Sequence, residues 1–163
     1  MKTRVLSQAV AAVFATVLLG ATAPVFAADA HSHGHGAAPQ KLTLDHGKKW
    51  TTDAPLRTGM QKIRDAIAPQ LDAIHTGKLP AAQYAALAAA IDAEIAGIVQ
   101  NCKLPPEADA NLHLVIAQMM EGTEAMQGKN PKAKPQTGAV KVVQALDSYA
   151  KYFDHAGWKG LKH

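Results

Sequence analysis

The chain has 163 residues and a mass of 17.2 kDa, which is one domain with a little to spare. Hydrophobic residues make up 48%, aromatics only 5% and charged residues 18%, and alanine is heavily used, which argues against a β-sandwich or barrel and for helices. One cysteine excludes a disulfide framework and a Cys-rich zinc module, and the formal charge of +4 includes a leader segment.

Residues 1–27 have the three parts of a secretory signal peptide. Lys2 and Arg4 form a positive head, Ala9 to Ala23 a mostly apolar run, and Val25-Phe26-Ala27 a small-residue cleavage site. The run is short for a membrane span. No second long apolar run is expected after it, so cleavage is expected to leave a soluble periplasmic protein off the membrane. Without the leader the chain keeps 15 basic against 13 acidic residues. That balance, with no basic stripe, excludes nucleic-acid binding.

Residues 28–40, ADAHSHGHGAAPQ, have no periodicity and are expected to form a disordered, His-rich tail. His31, His33 and His35 alternate with Ser and Gly, a pattern able to wrap Cu(II), Ni(II) or Zn(II). Cleavage after Ala27 makes His31 fourth in the exported chain. Cleavage after Ala28 makes it third, where amine, two amides and imidazole clasp Cu(II) in a plane.

Residues 41–163 read as the folded domain. A linker, Lys41 to Thr51, offers Leu42, Leu44 and Trp50 as docking points. Helical periodicity then predicts four helices. The first runs from about Asp53 to Thr76, capped by Thr52, with a stripe of Leu56, Met60, Ile63, Ile67, Leu71 and Ile74; Pro69 should kink or divide it. The second runs from Pro80, as its first helical residue, to about Cys102, with Tyr84, Leu87, Ile91, Ile95, Ile98 and Cys102 in phase. The third runs from Pro106 to about Gln127 on Leu112, Val115, Ile116, Met119, Thr123 and Met126. The fourth runs from about Gly138 to Asp154 on Val142, Val143, Leu146, Tyr149, Ala150 and Phe153, after a polar loop of residues 129–136. Short connections make this all-α domain an antiparallel, up-down-up-down four-helix bundle.

That topology groups donors at one pole. His46, Trp50, Cys102, His155 and Trp158 fall near the start of helices one and three and the end of helices two and four. Met60 and His113 lie about 10 Å below the pole at 1.5 Å per residue, and helical side chains lean toward their own N-terminus. A thiolate from Cys102, an imidazole from His113 and a thioether from Met60 can therefore converge, with His155 or His46 as a fourth ligand. Cys, His and Met together suit copper, Cu(I) above all, with zinc a weaker match. Each donor also has an ordinary role: a buried Cys, core-filling Met residues, Trp50 and Trp158 as pole covers with their ring N–H groups turned to solvent.

Three segments carry a family resemblance. DHGKKWTTDAPLRTGM (45–60), NCKLPPEADANLH (101–113) and YFDHAGW (152–158) resemble small exported proteobacterial proteins of the DnrO-like group. The resemblance covers nearly all of the chain after the leader. It implies a periplasmic helical bundle, and neither an activity nor a ligand. The architecture is also similar to the four-helix cytochromes. A c-type haem is excluded without C-x-x-C-H, whereas Met60 and His155 match in topology the axial ligands of a b-type haem bundle.

No G-x-S-x-G, H-E-x-x-H or phosphate loop is present, so the chain does not read as an enzyme. A Cys102–His113 nucleophilic dyad is disfavoured, because Cys102 would meet the negative end of its helix dipole. The sequence points to a periplasmic, non-enzymatic, copper-handling or protective bundle. The alternatives are a b-type haem electron carrier and a metal-free interaction or sensor module. The expected partners are the metal ion and either a second copy of the chain or a copper-handling protein.

Overall fold

Asp53 sets where the first helix begins. In the computed structural model, which describes residues 40–162, its Oδ1 accepts the Leu56 N–H at 2.9 Å, and Pro55 stands in the first turn. The cap is therefore Asp53 and not Thr52, whose hydroxyl donates to the Asp154 carbonyl. Helix α1 runs over Ala54–Ile67. Pro69 lacks an N–H, and a 3-10 turn, Ala68–Gln70, separates α1 from α2, Leu71–His75. All six residues of the predicted stripe, from Leu56 to Ile74, are nonetheless buried. The leader and the tail residues His31, His33 and His35 lie outside the described residues.

Helix α3 covers Ala81–Asn101, with Pro80 as its cap rather than its first residue. Its buried seam is Tyr84, Ala88, Ile91, Ile95 and Ile98. Ala88 takes the place expected of Leu87, which is half-buried on the flank. Cys102 is the C-cap and already extended, since Pro105 and Pro106 cannot continue the helix. By length and composition α3 is apolar enough to cross a membrane, with a mean hydropathy of 1.3 over a window only 28% buried. This differs from the expectation of no second long apolar run, because alanine fills its outer face as well as its seam. Its two carboxylates are engaged by neighbours: Asp92 accepts from Gln127 Nε2 at 2.7 Å, and Glu94 pairs with Lys62 at 3.3 Å.

Helix α4, Pro106–Met126, buries the face predicted for it, and Asn111 and Gly122 as well. Helix α5, Pro135–Tyr152, begins three residues before the expected Gly138. Gly138 does not mark a boundary. It lets α5 approach α4, for a Cβ there would stand 2.8 Å from Ala125 Cβ and 2.9 Å from Met126 N. Gly122 answers it, since a Cβ on that residue would meet the Gly138 carbonyl at 2.7 Å.

The fold of the described residues is all-helical. Outside the helices there are only two isolated bridges, Asp45 with Lys48 and Trp50 with Phe153. The linker is tied down along its length. Thr43 N–H donates to Asn111 Oδ1 at 2.8 Å, and Trp50 N–H to the Tyr152 carbonyl at 2.8 Å. Leu42 and Trp50 pack on the core, while Leu44 is exposed.

Candidate metal centre

One carboxylate joins two helix ends here. While Asp53 Oδ1 caps α1, its Oδ2 accepts the Lys103 N–H at 2.6 Å and so holds the chain as it leaves α3. The end of α5 reaches the same place through Trp50, whose carbonyl accepts the Asp154 N–H at 2.8 Å. Cys102 is thus positioned by backbone bonds on both sides, its own N–H donating to the Ile98 carbonyl at 2.9 Å.

Cys102 and His113 share one narrow cleft of about 170 Å³ between the end of α3 and the start of α4. Ile98, Val99, Leu112 and Ile116 give it apolar walls, and Asp109 stands at its rim. The His113 imidazole is exposed, and its Nδ1 lies 2.9 Å from the Asp109 carbonyl oxygen. A carbonyl can only accept, so Nδ1 carries a proton, and in the neutral ring the lone pair is then on Nε2. The Asp109 carboxylate, 3.4 Å from Nδ1, reinforces that tautomer. A carboxylate behind a histidine is the usual support of a metal-binding imidazole.

The thiol of Cys102 is half-buried and unbridged. Burial, then the Asp53 and Asp109 carboxylates, push its pKa up to about 11. The same negative charges that oppose a bare thiolate favour a cation bound to it.

The other expected donors are placed elsewhere. Met60 is fully buried in the core and does not line the cleft. His155 is half-buried among aromatic rings, its Nδ1 2.9 Å from the Tyr149 hydroxyl and its ring 5.0 Å from Trp158. Burial and then Arg57 lower its pKa, with Asp154 opposing, while burial pushes the Tyr149 phenol upward, so both groups are held neutral. His46 sits at φ 47° on the turn between Asp45 and Lys48, with its side chain fully in solvent. Neither tryptophan turns its ring N–H to water: Trp50 donates to the Thr43 carbonyl at 2.7 Å, and Trp158 Nε1 is buried without a partner.

Of the five expected core donors, the structure therefore brings together Cys102 and His113. Sequence reasoning missed Asp109, although an Asp four residues before a helical His is a legible signal. Among the described residues, no group of three or more His, Cys, Asp or Glu side chains is gathered to hold an ion. No family model, curated protein or solved structure matches the chain.

Proposed function

We propose that this protein is an exported, periplasmic copper-binding protein, that Cys102 Sγ and His113 Nε2 ligate the ion, and that its role is handling or protection rather than catalysis. The observation that carries it is the shared cleft, which Cys102 and His113 both line and in which Asp109 holds the imidazole through Nδ1. A soft thiolate and a borderline imidazole between apolar walls suit Cu(I). His31, His33 and His35 serve as a separate capture sequence for the ion. The helices form an antiparallel, up-down-up-down four-helix bundle. Supporting this are the pairs in which the start of one helix meets the end of another: Asp53 with Lys103, Lys141 with Glu121, and Gln136 with Ile74.

The test is a Cu(I) competition titration against a chromogenic chelator. It uses protein with His31, His33 and His35 changed to alanine, so that only the bundle is read. Cys102→Ala and His113→Ala should each abolish the tight phase, with helicity by circular dichroism unchanged. Asp109→Ala removes the carboxylate at 3.4 Å and keeps the backbone carbonyl, so it should weaken binding by about 10-fold, the low end of the usual effect of losing a supporting group behind a ligand. Tight binding that survives Cys102→Ala refutes the site. A Soret band in protein from a haem-replete host supports the haem alternative instead, and an inert bundle with neither signal supports the metal-free one.

A further inference from the structure

The first described residues are fastened to the same helix that carries His113. Thr43 N–H donates to Asn111 Oδ1 at 2.8 Å, and the Thr43 carbonyl accepts the Trp50 ring N–H at 2.7 Å, so the chain enters the fold pinned to α4. Gln40 and Lys41 line an open groove with Glu107, Ala110 and Leu114. Ala110 and His113 are both exposed and three residues apart on α4. Residues so spaced are neighbours on a helix surface, about 5–6 Å between Cβ atoms. One groove and one turn of helix therefore separate Gln40 from the cleft of Cys102 and His113.

The sequence just before Gln40 holds three imidazoles. His35, His33 and His31 stand five, seven and nine residues ahead of it. At about 3.4 Å per extended residue they reach at most roughly 17, 24 and 31 Å from Gln40. His33 and His31 thus have length to spare for the crossing to His113. Carboxylates line the way: Asp45 and Glu107 in the groove, where Lys41 is the only Lys or Arg, and Asp109 at the cleft. They attract a segment that holds a cation. The cleft offers one thiol and one imidazole and opens to solvent at His113, which leaves room on a Cu(I) ion for a further borderline donor.

We propose that the His31–His35 segment folds back over the Ala110 edge of α4, and that one of its imidazoles joins Cys102 and His113 on a single Cu(I) ion. This rests on the copper function proposed above and adds how the tail unloads. The captured ion passes to the cleft by ligand exchange within one chain, and one tail imidazole stays on it. The metal remains Cu(I) throughout, and the displaced imidazoles leave as neutral groups. Cys102 gives its proton to solvent as the thiolate binds, so one proton is released per ion. The short tether holds the tail imidazoles near the cleft at an effective concentration on the order of millimolar.

The experiment compares the protein with its tail intact and with His31, His33 and His35 changed to alanine. Cu(I) competition titrations and X-ray absorption at the copper edge, both anaerobic, read the two forms. With the tail, copper should have one sulfur and two nitrogen neighbours; without the tail histidines, one of each. Their loss should weaken the tight phase by about 10-fold, and a peptide of residues 28–39 added at micromolar concentration should not restore it, because the tether is missing. Equal neighbour counts and equal affinity in the two forms overturn the joint site and leave the copper function standing. So does a second ion bound by the intact tail as tightly as the first, since tail and cleft then fill separately. Restoration by the free peptide overturns the tethered crossing. A protein without the tail histidines that binds no copper, or binds it as tightly after Cys102→Ala, overturns both the inference and the function beneath it.

Discussion

Exchanging Gly138 for alanine tests the α4–α5 contact directly. The added methyl would stand 2.8 Å from Ala125 Cβ and 2.9 Å from Met126 N, where ordinary contact begins at 3.4 Å. It would also press on the Gly122 carbonyl, which belongs to backbone and cannot rotate away. The two helices must then separate by about half an ångström along a seam that includes Val142 and Met126, a strain of the overpacking kind that costs up to about 3 kcal/mol. Alanine's better helix propensity returns about 1 kcal/mol. The net expectation is a loss of about 2 kcal/mol, or roughly 8 °C in Tm for a domain of this size. Gly97→Ala is the matched control: it lies inside α3 with nothing within 4 Å of its added Cβ, so only the propensity gain of about 1 kcal/mol should appear. Urea melts followed at 222 nm read both variants. If the two variants shift the midpoint in the same direction, the close crossing at Gly122 and Gly138 is wrong.

Three further outcomes follow from the pole that carries Cys102. Asp53→Ala removes the acceptor for both Leu56 N–H and Lys103 N–H, and urea melts should show a loss of about 2 kcal/mol. Alkylation of Cys102 by iodoacetamide should be slow at pH 8, where a pKa of about 11 leaves roughly 100-fold less thiolate than the ordinary 9.0, and its rate should keep climbing to about pH 11. Asp53→Asn should speed it, by removing a charge that opposes the thiolate; an early plateau near pH 9 would contradict the burial of the thiol. The pKa of His155 is lowered in the fold, so as pH falls through the ordinary histidine value, near 6.5, the unfolded chain takes up its proton first and stability drops until the folded pKa is passed. His155→Gln should remove that part of the loss between pH 7 and pH 5, measured as urea midpoints; an unchanged slope would mean that His155 is not buried against Tyr149.

The helices were legible because their seams are. Leu56 to Ile74 keeps its period through the break at Pro69, and Leu112 to Met126 keeps it without one. What escaped was decided by backbone and by neighbours rather than by hydrophobic pattern. Thr52 and Asp53 are both good caps by type, and the choice fell to Asp53 because its second oxygen is wanted by Lys103, fifty residues away. Gly138 looked like a boundary because glycine usually breaks a helix, and only the facing Gly122 shows why one is needed inside it. Leu87 and Ala88 are adjacent, and hydrophobicity favours the leucine. The buried seam of α3 instead runs from Tyr84 through Ala88 to Ile91, and farther along it Gly59 of α1 admits the Ile98 side chain.

The donor set divides along the same line. Placing Cys102, His155 and Trp158 at one end required only helix order, which connection lengths supply. Deciding which donors meet required knowing which faces of neighbouring helices are turned together. Met60 was in phase with its own stripe, and that phase is what buries it among Ile63 and Leu56 and removes it from the cleft. His155 follows the end of α5, where Tyr149, six residues earlier, turns its hydroxyl to the ring and claims Nδ1. His113 lies off its helix's buried stripe, which looked like a weakness for a ligand. It is that position, with Asp109 one turn before it, that puts His113 on the same cleft as Cys102. A donor set drawn from core stripes describes a metal enclosed by one bundle, whereas a helix end and a flank histidine share a cleft at the surface.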